Sequence, residues 1–321
     1  MRLVMMGTGV FAEPTFSALF DCGHEVVGLF TQPDRATGTV RGSTRQTGIG
    51  MKELARQRGI PCHQPESVNT PEGLAMLRDL APDLLVVAAY GQILSRDVIA
   101  SPKLGAINVH ASLLPKYRGA SPIAHAILNG ETRTGVTIIR IVPGLDAGEM
   151  LATVEVDILP DETTGELEAR LAPLGAKICV EVIHRIAAGP VSGETQDPAR
   201  VTKAPKIRKE HGAIDWSKTA TAIALQIRAW QPWPTSYTQL QREGQEPVRI
   251  SISKAEAVEG VAGSEPGVVL AIAGELRIAA SEGTALKVLE LQPAGKKKMA
   301  VGEFLRGRPV QVGDRCGTVS E

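Results

Sequence analysis

Short runs of valine and leucine alternate with helix-patterned segments through the first hundred residues, and this alternation limits the fold more than any other feature. Leu3–Met6, Glu25–Thr31 and Leu84–Ala89 are apolar enough to be strands buried on both faces. Between them Pro14–Asp21, Met51–Gln57 and Pro71–Leu80 carry helical spacing. Thr70-Pro71-Glu72 reads as a helix start, with threonine as cap and proline at the first position. Strands joined by crossover helices lie parallel, so the expected class is α/β with a doubly wound sheet.

The pattern then changes. Gly135–Ile141 and Met150–Ile158 read as strands joined by Val142–Glu149, a link too short for a crossover helix. They should pair antiparallel and make the sheet mixed. A long helix over Glu162–Ala188 would close a first domain at residues 1–189, and the Gly- and Pro-containing stretch 190–206 has linker composition. Beyond it a helix at Ala220–Ala229 precedes Val248–Ser253, Gly267–Ala273, Leu276–Ala280, Leu286–Gln292 and Val310–Asp314. Several short strands with turn signals between them predict a smaller β-barrel, OB-like, over 207–321.

At 321 residues, 43% apolar and 22% charged, the chain can bury two cores and has the balance of a globular protein. No apolar run approaches the ~18 residues of a membrane span. The N-terminus enters a strand at once, without a signal-peptide layout, so no membrane association and a cytoplasmic location are expected. Cys22, Cys62, Cys179 and Cys316 are scattered, never as a Cys-x-x-Cys pair; buried free thiols are expected, and no metal site. Net charge is zero, but residues 1–189 hold 17 basic and 20 acidic side chains against 18 and 15 in the remainder. That asymmetry leans toward an anionic partner for the C-terminal half.

The chemistry-bearing residues cluster between 108 and 148. Asn108 and His110 stand two apart on the apolar run Gly105–His110, so alternation aims both the same way at a strand end. Open α/β sheets place ligands at the carboxyl ends of their strands. An amide can donate to a developing oxyanion, and an imidazole beside it can do the same or carry a proton. Asp146 lies in the glycine-flanked turn Pro143-Gly144-Leu145-Asp146-Ala147-Gly148, where backbone can approach a ligand closely; its carboxylate could orient His110 or take a proton from an amine, or simply stabilise the turn. Amide, imidazole and carboxylate together suit acyl or formyl transfer to an amine. Ser112 with His110 and Asp146 superficially suggests a hydrolase triad, but the Gly-x-Ser-x-Gly elbow is missing.

Two further features compete for a ligand. Gly7-Thr8-Gly9-Val10-Phe11-Ala12, with Asp34 after the second strand, matches a dinucleotide fingerprint in outline, though glycines at a tight βα turn serve any doubly wound sheet. Arg35–Lys52 holds four basic residues (Arg35, Arg41, Arg45, Lys52) and no acidic one, which suits phosphate contacts as well as a solvated loop. Lys296–Lys298 is a second basic cluster, and three exposed lysines in a turn usually serve only solubility.

The run from Asn108 to Ile123, Asn-Val-His-Ala-Ser-Leu-Leu-Pro-Lys-Tyr-Arg-Gly-Ala-Ser-Pro-Ile, closely resembles the methionyl-tRNA formyltransferases. So do Thr134–Ile138 leading to Gly144–Gly148, Ala89–Leu94, and Leu291–Met299. The resemblance spans nearly the whole chain. It implies a formyltransferase Rossmann-like domain followed by a tRNA-binding barrel. It also implies transfer of a formyl group from 10-formyltetrahydrofolate to the α-amino group of methionine on initiator tRNA. The family's catalytic asparagine, histidine and aspartate fall on Asn108, His110 and Asp146. Ser112, Leu113, Leu114 and Pro115, with Gln92, Ile93 and Leu94, would border the folate, and Arg35, Arg41 and Arg45 would contact tRNA. Where family members carry a denser basic run and a Pro-Val-Lys helix start, this chain reads Ile49-Gly50-Met51-Lys52. A monomer is expected for so large and asymmetric a substrate.

Three other functions fit parts of this sequence. A formyltransferase acting on a nucleotide-linked amino sugar shares the catalytic triplet and can carry a similar second domain. A nicotinamide-dependent oxidoreductase would bind a dinucleotide at Gly7–Ala12. A non-catalytic tRNA-binding protein would not need the triplet at all.

Overall fold

The computed structural model describes residues 1–34, 49–271, 274–307 and 310–317. Two compact units emerge. The first comprises Met1–Ala126, Thr132–Leu159 and Gly165–Lys206, and the second Ile127–Glu131, Pro160–Thr164 and Ile207–Glu321.

The first unit is a doubly wound sheet. In chain order its elements are β1 (Arg2–Gly7), α1 (Glu13–Phe20), β2 (Glu25–Phe30), α2 (Met51–Gln57), β3 (Cys62–His63), α3 (Pro71–Asp79), β4 (Leu84–Ala88), α4 (Arg96–Ala100) and β5 (Ala106–His110). There follow β6 (Arg118–Gly119), α5 (Pro122–Leu128), β7 (Arg133–Arg140), β8 (Met150–Asp157), α6 (Thr164–Ala188) and β9 (Lys203–Ala204). The strand order is β3-β2-β1-β4-β5-β7-β8. Strands β1 to β5 pair parallel, whereas β5–β7 and β7–β8 pair antiparallel, so the sheet is mixed as expected.

Burial explains the strand sequences. Every residue of β4 is buried, so it reads as an unbroken apolar run, while the edge strand β8 has exposed residues at alternate positions. The Thr70 hydroxyl caps α3 by accepting the Gly73 N–H at 3.1 Å. Helix α6 buries Leu167, Leu171, Cys179, Val182 and Ile183 along one stripe, at three- and four-residue spacing. The first unit ends in 190–206, a stretch of linker composition that is nonetheless hydrogen-bonded to the rest of the unit. Glu194 exchanges two backbone bonds with Met150 (2.9 Å each), and β9 pairs with β6.

The second unit holds α7 (Ala220–Ala229), β10 (Ser236–Arg242), β11 (Gln245–Glu259), β12 (Val269–Ala271), β13 (Leu276–Ala279), β14 (Thr284–Pro293), β15 (Met299–Ala300), α8 (Val301–Gly307) and β16 (Arg315–Gly317). The antiparallel sheet runs β12-β13-β14-β11-β10-β16. A bridge between Val268 and Arg315, with Cys316 N–H on Gly267 O at 2.7 Å, joins the two ends of that order. The sheet thereby curls into the expected OB-like half-barrel, and closing its edges removes unpaired strand groups. Ile223, Ile227, Leu240, Ile250, Ile252, Leu286, Val288 and Phe304 fill its core.

The strand expected at Val310–Asp314 is displaced to Arg315–Gly317. Asp314 closes a turn instead: its carboxylate accepts the Gln311 N–H at 2.8 Å, and Gly313 has φ +96°.

Candidate active site at the end of the fifth strand

Strand β5 carries Asn108 and His110 on one face, where its parallel neighbour β4 and antiparallel neighbour β7 fix its register. His110 is buried, at 5% exposure. Its Nε2 lies 3.0 Å from the Tyr117 carbonyl oxygen. A carbonyl can only accept, so Nε2 carries a proton and donates it. The other ring nitrogen, Nδ1, faces Asp146 Oδ2 at 3.7 Å, too far for a direct hydrogen bond. Nδ1 is thus the atom left for chemistry. Asn108 is half-buried, and its amide engages no described residue.

Asp146 is held from two sides. Its Oδ2 accepts the Gly119 N–H at 2.8 Å, and its backbone oxygen accepts from Gln196 Nε2 at 2.8 Å. It adopts φ +48°, a left-handed conformation uncommon outside glycine but tolerated by aspartate. Gly119 has φ +126°, and a Cβ there would come within 2.6 Å of the Ala204 oxygen. Gly148 backs onto the Arg140 carbonyl so closely that no side chain fits. Glycine at both places lets the β7–β8 link and β6 close on the carboxylate.

The loop after β5 is committed to structure. Ser112 is fully buried, its hydroxyl donating to Lys116 O at 2.7 Å, so it is no free nucleophile. The Thr137 hydroxyl donates to Ser112 O at 2.7 Å and accepts the Leu114 N–H at 3.2 Å. Leu114 and Pro115 are buried, joined by a cis peptide, while Leu113 is half-buried. After β4, Gln92 bridges to the backbone of Val68 and Glu66, Leu94 is buried, and Ile93 is 79% exposed. Loops after adjacent strands β4 and β5 therefore offer one exposed aliphatic side chain and a fixed backbone.

The other expected ligand features behave differently. Thr8, Gly9, Thr31, Gln32, Asp34, Gly50, Lys52 and Gln64 are among the residues around a cleft of about 50 Å³ at the ends of β1 and β2. Small-molecule sites usually offer about 300–1,000 Å³. Asp34 is paired with Lys52 at 2.8 Å and accepts from Gln64 at 3.2 Å; Lys52, then Gln64, hold its carboxyl below the usual range. Glu13, the first residue of α1, does not cap that helix; its carboxylate accepts the N–H groups of Ile49 and Gly50 (3.2 and 2.9 Å). A carboxylate in the first turn of α1, where a pyrophosphate would have to sit, and a paired Asp34 favour a turn-forming role for Gly7–Ala12 over a dinucleotide site.

Arg35, Arg41 and Arg45 lie outside the described residues. Cys22, Cys179 and Cys316 are buried and Cys62 half-buried, all free; burial pushes the Cys179 and Cys316 thiols up to about 12. Among the described residues no group of three or more His, Cys, Asp or Glu could hold a metal, and no helix is long and apolar enough to cross a membrane.

Gln196 and Thr202 were not visible as site residues in the sequence. Both lie in the linker-like stretch, and the groups they hold are 50 and 85 residues away along the chain. No local pattern marks them.

Residues 1–183 match the family described as "Formyl transferase", and residues 206–309 match "Formyl transferase, C-terminal domain". The methionyl-tRNA formyltransferase of Bacillus subtilis is 44% identical over 321 residues, covering 100% of this chain and 99% of its own. That of Methylococcus capsulatus is 42% identical over 318 residues, covering 99% and 100%. Among solved structures, a sugar 3N-formyl transferase with dTDP and 5-N-formyl-THF is similar at TM-score 0.67 and 19% identity, covering 92% of this chain and 99% of its own. That likeness concerns the fold. Matched along both units and at this identity over its whole length, the chain belongs to the methionyl-tRNA formyltransferase family.

Proposed function

We propose that the protein transfers the formyl group of 10-formyltetrahydrofolate to the α-amino group of methionine on initiator tRNA, for translation initiation. The observation that carries the chemistry is the split duty of His110. Nε2 is tied to the Tyr117 carbonyl, and Nδ1 is turned toward Asp146 without bonding it. A group placed between them can hydrogen-bond to both.

The folate supplies an activated formyl carbon. Attack by the neutral amine forms the new C–N bond and drives the carbonyl electron pair onto oxygen. The Asn108 amide donates to that oxygen, with the His110 imidazole beside it. Asp146 takes the proton released by the attacking nitrogen, directly or through water. The oxyanion's electron pair then re-forms the formyl C=O as the C–N10 bond breaks, its electron pair going to N10, which takes up a proton. No covalent enzyme intermediate is needed, in keeping with the engaged Ser112 hydroxyl.

The residues present suit a folate. The exposed Ile93 side chain offers an apolar wall, and Gln92, Leu94 and Ser112–Pro115 offer positioned backbone beside it. We assign catalysis to residues 1–189 and tRNA binding to 207–321, with Arg35, Arg41 and Arg45 contacting phosphates. The enzyme would act as a cytoplasmic monomer.

The test is formyl transfer from 10-formyltetrahydrofolate, with methionyl-initiator tRNA and a UDP-amino sugar as parallel acceptors. Formyl-methionyl-tRNA is the expected product. Formylation of the sugar alone would keep the chemistry and overturn the acceptor; neither product would overturn both.

A further inference from the structure

We propose that Gln196 and Thr202 are positioning residues for His110 and Asp146, so that the strap 194–204 belongs to the catalytic apparatus. The inference rests on the function proposed above and extends it to residues outside the recognised motifs.

Gln196 is buried, at 6% exposure, and uses all of its amide's ordinary hydrogen-bonding capacity. Its nitrogen donates to Asp146 O at 2.8 Å and Gly148 O at 2.7 Å. Its oxygen accepts from Arg118 Nε at 3.0 Å and Nη2 at 2.7 Å. Arg118 is the neighbour of Gly119, whose N–H holds the Asp146 carboxylate. Both holds on Asp146, one at its backbone and one at its side chain, thus converge on β6. A left-handed aspartate persists where its surroundings over-determine it, and Gln196 supplies half of that determination.

Thr202 does the same for the histidine. Its hydroxyl accepts the Tyr117 N–H at 2.8 Å, and its carbonyl accepts the Arg118 N–H at 2.9 Å. Tyr117 has φ +63°, a conformation that a bulky side chain rarely adopts, and its carbonyl receives the His110 Nε2–H. One strap therefore reaches both site groups through one intervening residue or none. It is pinned at its ends by the Glu194–Met150 bridge and by the β9–β6 pairing. A small displacement of either group would spoil the geometry on which transfer depends.

The experiment measures kcat and KM for formyl transfer to methionyl-tRNA by Gln196→Met, Thr202→Val and Thr202→Ser. Gln196→Met is measured again in an Asp146→Asn background. Gln196→Met should lower kcat about 10- to 30-fold with KM for the folate within about twofold. In the Asp146→Asn background it should cost less than about twofold more, because residues acting as a unit are not additive. Thr202→Val should lower kcat, and Thr202→Ser, which keeps the hydroxyl, should restore it.

Wild-type kcat in both Gln196→Met and Thr202→Val overturns the proposal. So does an equal loss from Gln196→Met with and without Asp146, which would signify general damage. If Gln196→Met does not fold, the Thr202 pair decides alone: equal kcat for its valine and serine variants overturns the proposal. Active wild type with unaffected variants overturns this proposal only, whereas wild type inactive on methionyl-tRNA overturns the functional reading.

Discussion

Two corners of the same sheet carry polar residues at strand ends, and they are built oppositely. At the ends of β1 and β2, Asp34 bonds both Lys52 and Gln64 at the surface, and the buried Thr8 and Thr31 hydroxyls pair at 3.2 Å. At the end of β5, His110 and Asp146 are each held by backbone groups of other segments and face each other unbonded across 3.7 Å. Side chains that satisfy one another have little left for a ligand. Side chains held from behind by backbone keep atoms free, already oriented, which is the condition for electrostatic catalysis. The difference lies in where hydrogen bonds go, not in which residue types are present.

The contrast can be broken in graded steps. Asn108→Ala should have the largest effect, lowering kcat by about 10²–10³, the usual loss for one oxyanion donor. Retained activity would remove the amide from the mechanism. Gly119→Ala forces a Cβ against the Ala204 oxygen and moves the N–H that holds Asp146. Steady-state kinetics should show roughly a tenfold fall in kcat, and thermal unfolding a loss of about 1–3 kcal/mol. Thr137→Val removes the hydroxyl linking Ser112 O and Leu114 N–H. It should cost about 1–2 kcal/mol of stability and raise KM for the folate several-fold by loosening the loop after β5.

The smallest effect concerns pH. Burial, then the nearby N-terminus and His184, hold His24 below its ordinary 6.5, and burial alone lowers His63, which stacks on Phe30. The unfolded chain therefore binds protons first as pH falls. Stability is complete above about 6.5 and declines below it toward the depressed folded-state values. The melting temperature should drop modestly from pH 7 to pH 5, and His24→Gln with His63→Gln should flatten that drop. A profile unchanged by both substitutions would show that neither histidine drives it.

The same contrast explains what the sequence could show. Strands β1, β2 and β4 were legible because burial on both faces leaves an uninterrupted apolar run. Strand β10 was not. Its core-facing residues are Ser236, Thr238 and Leu240, and Thr238 is there to accept the Trp216 indole N–H at 3.0 Å, so the expected alternation of hydropathy is blurred. The last strand was misplaced because a valine on either side of Gln311 reads as strand, while the Asp314 turn is fixed by a hydrogen bond.

At the site, Asn108, His110 and Asp146 stand in local patterns of strand end and glycine-flanked turn. The groups that hold them do not. Gln196 and Thr202 are recognisable only by their partners, in a stretch whose glycine and prolines suggest free chain. Motifs record the atoms that react more readily than the scaffold that aims them.

The most direct test of the contrast sets Asp146→Asn beside Asp34→Asn in one formyl-transfer assay, with both substrates saturating. Each removes one carboxylate charge from one corner of the sheet. Asp146→Asn should lower kcat by about two orders of magnitude or more, and Asp34→Asn by less than about twofold. Equal effects, or a loss confined to Asp34→Asn, would contradict the assignment of the chemistry to the β5 corner.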